Sequence, residues 1–290
     1  MTTSASTSAP HLSGPRSSWP SKYIKGGLLT SLTWIVGLAF FFPVLWMVLT
    51  AFKQERDAYT DTPKLFFEPT LDQFRNVFDA GFWPYLGNSV FATAMSTLLV
   101  LVLAVPAAYA LSIRPVEKTQ DVLFFFISTK MLPVVAVIVP LYVVTQNLAL
   151  LDNIWALVIL YTAMNLPIAV WMLRSFMLEV PGEVIEAAQM DGCTTLRMFR
   201  AVLLPMLAPG IAATALICVI FAWNEFFFAV NLTAARAGTV PVFLVGFITS
   251  EGLYWAQLSA AATLAALPVV IAGWIAQKQL VRGLSMGAIK

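Results

Sequence analysis

The chain has 290 residues, of which 59% are hydrophobic and 11% charged, with a formal net charge of +2 and a mean hydropathy of +0.82. Soluble domains carry about 25% charged residues, so composition excludes a soluble globule, a disordered chain and a collagen-like one, and the small net charge argues against a nucleic-acid partner. Two cysteines, Cys193 and Cys218, and a lone histidine, His11, exclude a disulfide scaffold, a thiolate metal site and any His-based metal site or triad.

This is the residue balance of an all-α integral membrane protein, and its elements follow in chain order. Residues 1–25 open with small, polar, Pro-interrupted sequence and read as a disordered tail. A hydrocarbon core of about 30 Å needs about 20 apolar residues to cross it. Stretches free of charge occur at 26–52, 80–113, 131–151 (extended upstream by 122–129, with Lys130 between), 153–173, 201–224 and 252–277. They predict six spans near 28–52, 88–112, 123–149, 154–173, 207–230 and 257–277, within a membrane domain over 26–280. The first run is too long for a secretory signal and ends in Lys53-Gln54-Glu55-Arg56, so it stays as an anchor. No internal repeat at a solenoid period is visible.

Orientation follows from Lys and Arg in the short loops. With the N-terminus inside, the inside segments hold eleven: Arg16, Lys22, Lys25, Arg114, Lys118, Arg174, Arg197, Arg200, Lys278, Arg282 and Lys290. The outside loops hold five: Lys53, Arg56, Lys64, Arg75 and Arg236. Both termini, including a tail over 281–290, are therefore expected in the cytoplasm. In the first outside loop, Thr70-Leu71-Asp72-Gln73 fits a capping box. Leu71, Phe74 and Phe78 share one face of the helix that follows, which suits packing against the spans or docking of an external partner.

The loop from about 174 to 206 carries the most information, being too long and too patterned for a plain connector. Glu183 to Asp191 reads as a short helix with acidic residues in its first turn, and Gly192 marks a left-handed helix end. Thr194 can cap a second helix whose apolar face is Leu196, Phe199, Val202 and Leu203. Pro205 and Pro209 are expected to break or kink the chain as it enters the fifth span. The result is a compact knob of two short helices below the membrane.

Glu186-Ala187-Ala188, Gly192 six residues after Glu186, and Val202-Leu203-Leu204-Pro205 resemble the EAA loop of bacterial ABC importer permeases. That pattern is Glu-Ala-Ala, three residues, Gly, nine residues, Ile-x-Leu-Pro, and Val202 is its only departure. Pro181, Asp191, Lys130-Met131-Leu132-Pro133, Trp223-Asn224-Glu225 and the tail from Val281 to Lys290 are similar to the carbohydrate branch, in particular the maltose-type second permease subunit. The resemblance covers the chain from about residue 30 onwards. It implies six transmembrane helices in a type I ABC importer fold, in a bacterial inner membrane. It implies partners as well: a second permease subunit, two cytoplasmic ATPase subunits and an external solute-binding protein. The cargo would be a sugar or sugar alcohol. Glu186, Ala187, Ala188, Asp191 and Gly192 would then couple the chain to the ATPase. The two alanines would allow close approach, the carboxylates would meet Arg or Lys, and Gly192 would turn where a Cβ would clash.

No ATP chemistry belongs to the chain itself. A P-loop needs Gly-x4-Gly-Lys-Ser/Thr, and none of the eight lysines follows a glycine. ATP and Mg are expected on the partner ATPases, with no cofactor here, and no nucleophile–base pair suggests an enzyme.

Lys130 lies nine residues past Asp121, roughly 13 Å into the bilayer, where an unpaired ammonium costs about 2.5–3.5 kcal/mol. Glu225 is the acidic group of the fifth span. Pairing the two requires tilt or a bent helix. Lys130, Trp223, Asn224 and Glu225 are candidates for the substrate path, because aromatic faces, amides and carboxylates hold hydroxyl-rich solutes, and Asn165 and Trp171 can add to them. Against this, Asn224 and Glu225 could tie helices together. Pro133, Pro140, Pro167 and Pro268 are expected to kink their spans. The rival reading is a stand-alone secondary transporter coupling ions or protons through Lys130 and Glu225, which predicts inverted repeats and broken helices. A third, an assembly subunit that moves no solute, leaves Lys130 unexplained.

Overall fold

A computed structural model describes residues 19–60, 62–113, 117–249 and 252–286. Residues 1–18 of the expected tail, and the last four of the expected C-terminal tail, lie outside the described residues. The chain divides into two compact units, residues 1–46 and 47–290. Helix α1 (Trp19–Ala51) begins inside the stretch expected to be tail. Pro20 lies in its first turn, where a missing N–H costs no hydrogen bond. In the first unit Leu28, Trp34 and Phe40 stand exposed along the helix.

In the second unit, α2 (Glu55–Ala58) and α3 (Asp72–Asp79) precede α4 (Phe82–Ser112). The third expected span is two helices, α5 (Thr119–Met131) and α6 (Val134–Asn147), bent by 91° at Leu132-Pro133. Pro133 lacks the N–H that would continue α5 and holds Leu132 in extended backbone. Then come α7 (Ile154–Leu178), α8 (Gly182–Met190), α9 (Thr195–Met198) and α10 (Leu204–Trp223). The chain closes with α11 (Phe227–Leu232), α12 (Val240–Val245), a two-residue hairpin of β1 (Ile248–Thr249) and β2 (Gly252–Leu253), and α13 (Trp255–Met286). Five of the described helices are long and apolar enough to span a membrane, and the bent pair passes the same test of length and composition when its two helices are taken together.

Pro140, Pro167 and Pro268 sit inside continuous helices. Pro205 and Pro209 do not break the chain. A π turn over Phe199–Leu203 joins α9 to α10 just ahead of Pro205, so helix runs through from Thr195 to Trp223. The wider turn makes room where a proline ring would clash with the preceding turn. It also shifts the register of the second knob helix. Met198 and Leu203 are buried, whereas Leu196, expected on the apolar face, is exposed.

The α4–α7 pair is the most extensive helix contact. Ala92, Ser96, Val100, Ala104 and Ala108 follow one another at every fourth position of α4, all fully buried. They meet Leu157, Tyr161, Asn165, Ala169, Leu173 and Met177 of α7, a second row at the same spacing and equally buried. Small residues let two backbones approach closely, and two such rows interlock as ridges in grooves. On α10, Gly210 permits a similar approach to α7, since a Cβ there would lie 2.5 Å from the Phe176 ring.

At one end of the bundle, carboxylates serve backbone N–H groups. Asp152 accepts from Ala234, Ala235, Arg236 and Ala237 at 2.8 to 3.1 Å. Asn88 donates to the carbonyls of Arg236 and Gly238, and Ser89 accepts from Val240. Glu55 accepts from Ala256 and Gln257 and so caps α13. The expected capping box of α3 does not form. Thr70 Oγ1 turns to Asp72, while Gln73 is buried and donates to the Lys53 carbonyl at 3.2 Å, too committed to reach back. Helix α3 packs on α4 and α13 through Val77, Phe74 and Phe78, with Leu71 exposed.

Partial burial pulls the Asp152 carboxyl upward, but the four backbone donors outweigh it and hold the group below the ordinary Asp value of 3.8. Its stabilisation is therefore complete above that value and fades as pH falls through the lower native one. Asp152→Asn should cost about 2 kcal/mol at neutral pH, with the gap to wild type closing below about pH 4, read as thermal unfolding in detergent across a pH series. Gly210→Leu should destabilise by about 1–3 kcal/mol through overpacking against Phe176, measured in the same assay.

Candidate functional site

The knob is built as its residues predict. Helix α8 follows Pro181 and ends in a Schellman motif: Cys193 N donates to the Ala188 carbonyl at 3.0 Å, and Gly192 N to that of Gln189 at 3.0 Å. Gly192 has φ +71, but nothing lies within 4 Å of where its Cβ would be. The demand for glycine therefore comes from the left-handed backbone itself and not from a clash. Thr194 Oγ1 accepts from Arg197 N at 3.4 Å and caps α9.

Val184, Ile185 and Ala188 turn toward the bundle. Ala188, expected beside Ala187 on the outward face, is only 7% exposed, packed in the cluster that holds Ala104, Leu173, Met198 and Leu203. One step around the helix, Ala187 falls outside that contact and stays exposed. The outward face carries Glu186, Ala187 and, past the helix end, Asp191 and Gly192. Sequence reasoning missed Met190, 88% exposed at the knob's tip. Its spacing was the available signal: Met190 lies four residues after Glu186, on the same face.

Within the bundle the structure divides the four substrate-path candidates. Trp223 and Asn224, at the end of α10, line a cavity of about 320 Å³ with Pro241, Leu244, Ala266 and Val270. Lys130 and Glu225 do not pair. Lys130 Nζ donates to the Met164 carbonyl at 2.8 Å and stands 5.9 Å from the centre of the Phe221 ring. Glu225 accepts from Phe228 N at 2.8 Å and Ala229 N at 3.3 Å. Asn165 is fully buried on the α4 face of α7, with neither polar atom hydrogen-bonded. Trp171 donates its indole N–H to the Leu123 carbonyl at 3.3 Å, which ties α7 to α5.

The expected fifth span is thus interrupted. Helix α10 stops at Trp223, Asn224 Nδ2 donates to the Ile220 carbonyl at 2.8 Å, and α11 restarts at Phe227. The restarted half-helix α11 packs on α6, the second half of the other broken span.

Residues 101–286 match the family described as "Binding-protein-dependent transport system inner membrane component". A probable ABC transporter permease of Sinorhizobium fredii is 38% identical over 265 residues, 91% of this chain and 95% of that protein. The diacetylchitobiose uptake system permease DasC of Streptomyces coelicolor is 32% identical over 275 residues, 94% of this chain and 96% of that protein. In fold, a chain of a bacterial ABC transporter that imports the acidic polysaccharide alginate superimposes with a TM-score of 0.72 at 23% identity, covering 92% of this chain and all of that one. Broken spans, which a stand-alone secondary transporter would also have, are here part of another architecture. The chain belongs to the family of inner-membrane components of binding-protein-dependent transport systems, the permease subunits of ABC importers.

Proposed function

We propose that the chain is one of two permease subunits of a carbohydrate importer, paired with a different second permease, two cytoplasmic ATPase subunits and an external solute-binding protein. Both termini face the cytoplasm in this reading, and the knob of α8 and α9 is the part that meets the ATPase. The carrying observation is the knob's outward face, with Glu186, Ala187, Asp191 and Gly192 displayed while Ala188 anchors it to the bundle. The carboxylates supply charge for Arg or Lys, and Met190 supplies an apolar tip. Because Ala188, Met198 and Leu203 pack with α4, α7 and α10, a push on the knob is transmitted to the spans as a rigid displacement. ATP and Mg are held by the ATPase pair, and this chain contributes no catalytic group. Substrate passes beside Trp223 and Asn224. A sugar or sugar alcohol suits that pair, an aromatic face beside an amide, and a related permease serves diacetylchitobiose.

Affinity purification of the tagged chain from gently solubilised native membranes is expected to recover an ATPase and a second permease. Recovery of the folded chain alone would refute the assembly. Gly192→Val forces a branched residue into left-handed backbone at about 1–2 kcal/mol. With the complex still assembled, it should reduce ATPase stimulation by the loaded binding protein about tenfold or more. Unchanged stimulation would remove the knob from the coupling role.

A further inference from the structure

We propose that Glu225 is a positioning residue, holding the interruption between α10 and α11 through the first N–H groups of α11 and so setting Trp223 and Asn224 in the cavity wall. The inference rests on reading that cavity as the substrate path. Its starting point is the interruption. A helix that restarts at Phe227 leaves its first N–H groups without intrahelical acceptors. Inside a bilayer such donors must be met from within the protein. Glu225 meets two of them, Phe228 N at 2.8 Å through Oε1 and Ala229 N at 3.3 Å through Oε2. Both carboxylate oxygens are engaged in this way, and Glu225 is not among the residues that line the cavity.

The surroundings support the same role. The Tyr161 hydroxyl, buried on α7, lies beside the carboxylate and beside Thr239, which leads into α12. One carboxylate therefore sits where α7, the α10–α11 interruption and the start of α12 meet. Trp223 and Asn224 immediately precede it in the chain, so the path of the backbone at Glu225 determines where their side chains point. A group that instead bound solute or carried a coupling ion through its charge would need at least one oxygen turned to the cavity.

Two substitutions separate reach from charge. Glu225→Gln keeps the length and one acceptor oxygen but removes the charge, while Glu225→Asp keeps the charge and loses one methylene of reach. Each is combined with Asn224→Cys in the assembled complex, and the reaction rate of the introduced thiol with N-ethylmaleimide is followed by peptide mass spectrometry. The expected result is a rate within about threefold of the Glu225 parent for Gln, whose oxygen keeps the 2.8 Å bond to Phe228 N and gives up only the 3.3 Å one, and a change of about tenfold for Asp, whose shorter side chain gives up the closer bond as well. A Gln variant that departs as far as Asp, or farther, overturns the proposal, and so does an unchanged rate in both. ATPase recovery is scored on the same preparations. A failure of the importer reading thus appears as missing ATPase, whatever the labelling pattern.

Discussion

The close contact of α4 with α7 is the constraint on which the other parts depend. In hydrocarbon there is no water to expel between helices, so association rests on backbone proximity and dense packing. The row from Ala92 to Ala108 supplies that proximity over five successive turns, against the row from Leu157 to Met177. At one end the pair buries Ala104 and Leu173 in the cluster that also takes in Ala188, Met198 and Leu203 of the knob and its exit. Farther along, Ala92, Leu157 and Tyr161 pack with Ala222, Phe228 and Ala229 across the interruption after α10. A single helix pair thus supports both the knob and the wall of the cavity.

Charged groups and irregular backbone at membrane depth are tolerated only where their polar atoms are met from within the protein, and this chain shows both cases. Beside the 91° bend after α5, Lys130 carries its own ammonium to the Met164 carbonyl of α7. At the interruption after α10, Glu225 turns back on α11. The half-helices beyond these breaks, α6 and α11, pack on each other. The turn that follows α6 is joined to the segment that follows α11, because Asp152 donates its own N–H to the Leu232 carbonyl and accepts from residues 234–237. Charged side chains spent on backbone groups give these elements fixed positions without ion pairs.

Much of the architecture was legible in the sequence because the bilayer imposes its own length on apolar runs. Four of the six expected spans correspond to continuous helices at nearly the expected places, and Thr194 and Gly192 cap or end their helices as their chemistry dictates. What failed did so for identifiable reasons. The kink expected at Pro133 is present, but as a full break with a 91° bend, because hydropathy does not register how far the backbone turns there. Thr70 looked like part of a capping box because the pattern is local, whereas Gln73 answers to Lys53, twenty residues away. Pro205, read as a break or a kink, does not break the helix, because the π turn just ahead of it makes room that a one-dimensional reading has no place for.

Composition and spacing alone mark the chain as a membrane protein with apolar runs of spanning length, and they locate the knob that resembles the EAA loop. These are properties of composition, length and short-range spacing, set by the thickness of hydrocarbon and by helix-end chemistry over a few residues. Packing settled which alanine of the knob is anchor and which is surface, and that Lys130 and Glu225 are both engaged with backbone. It also decided that the cavity takes in Trp223 and Asn224 but not their neighbour. Those outcomes depend on which helices meet and at what register. A buried charge takes whichever partner the packing brings within about 3 Å, and no spacing along the chain records that choice.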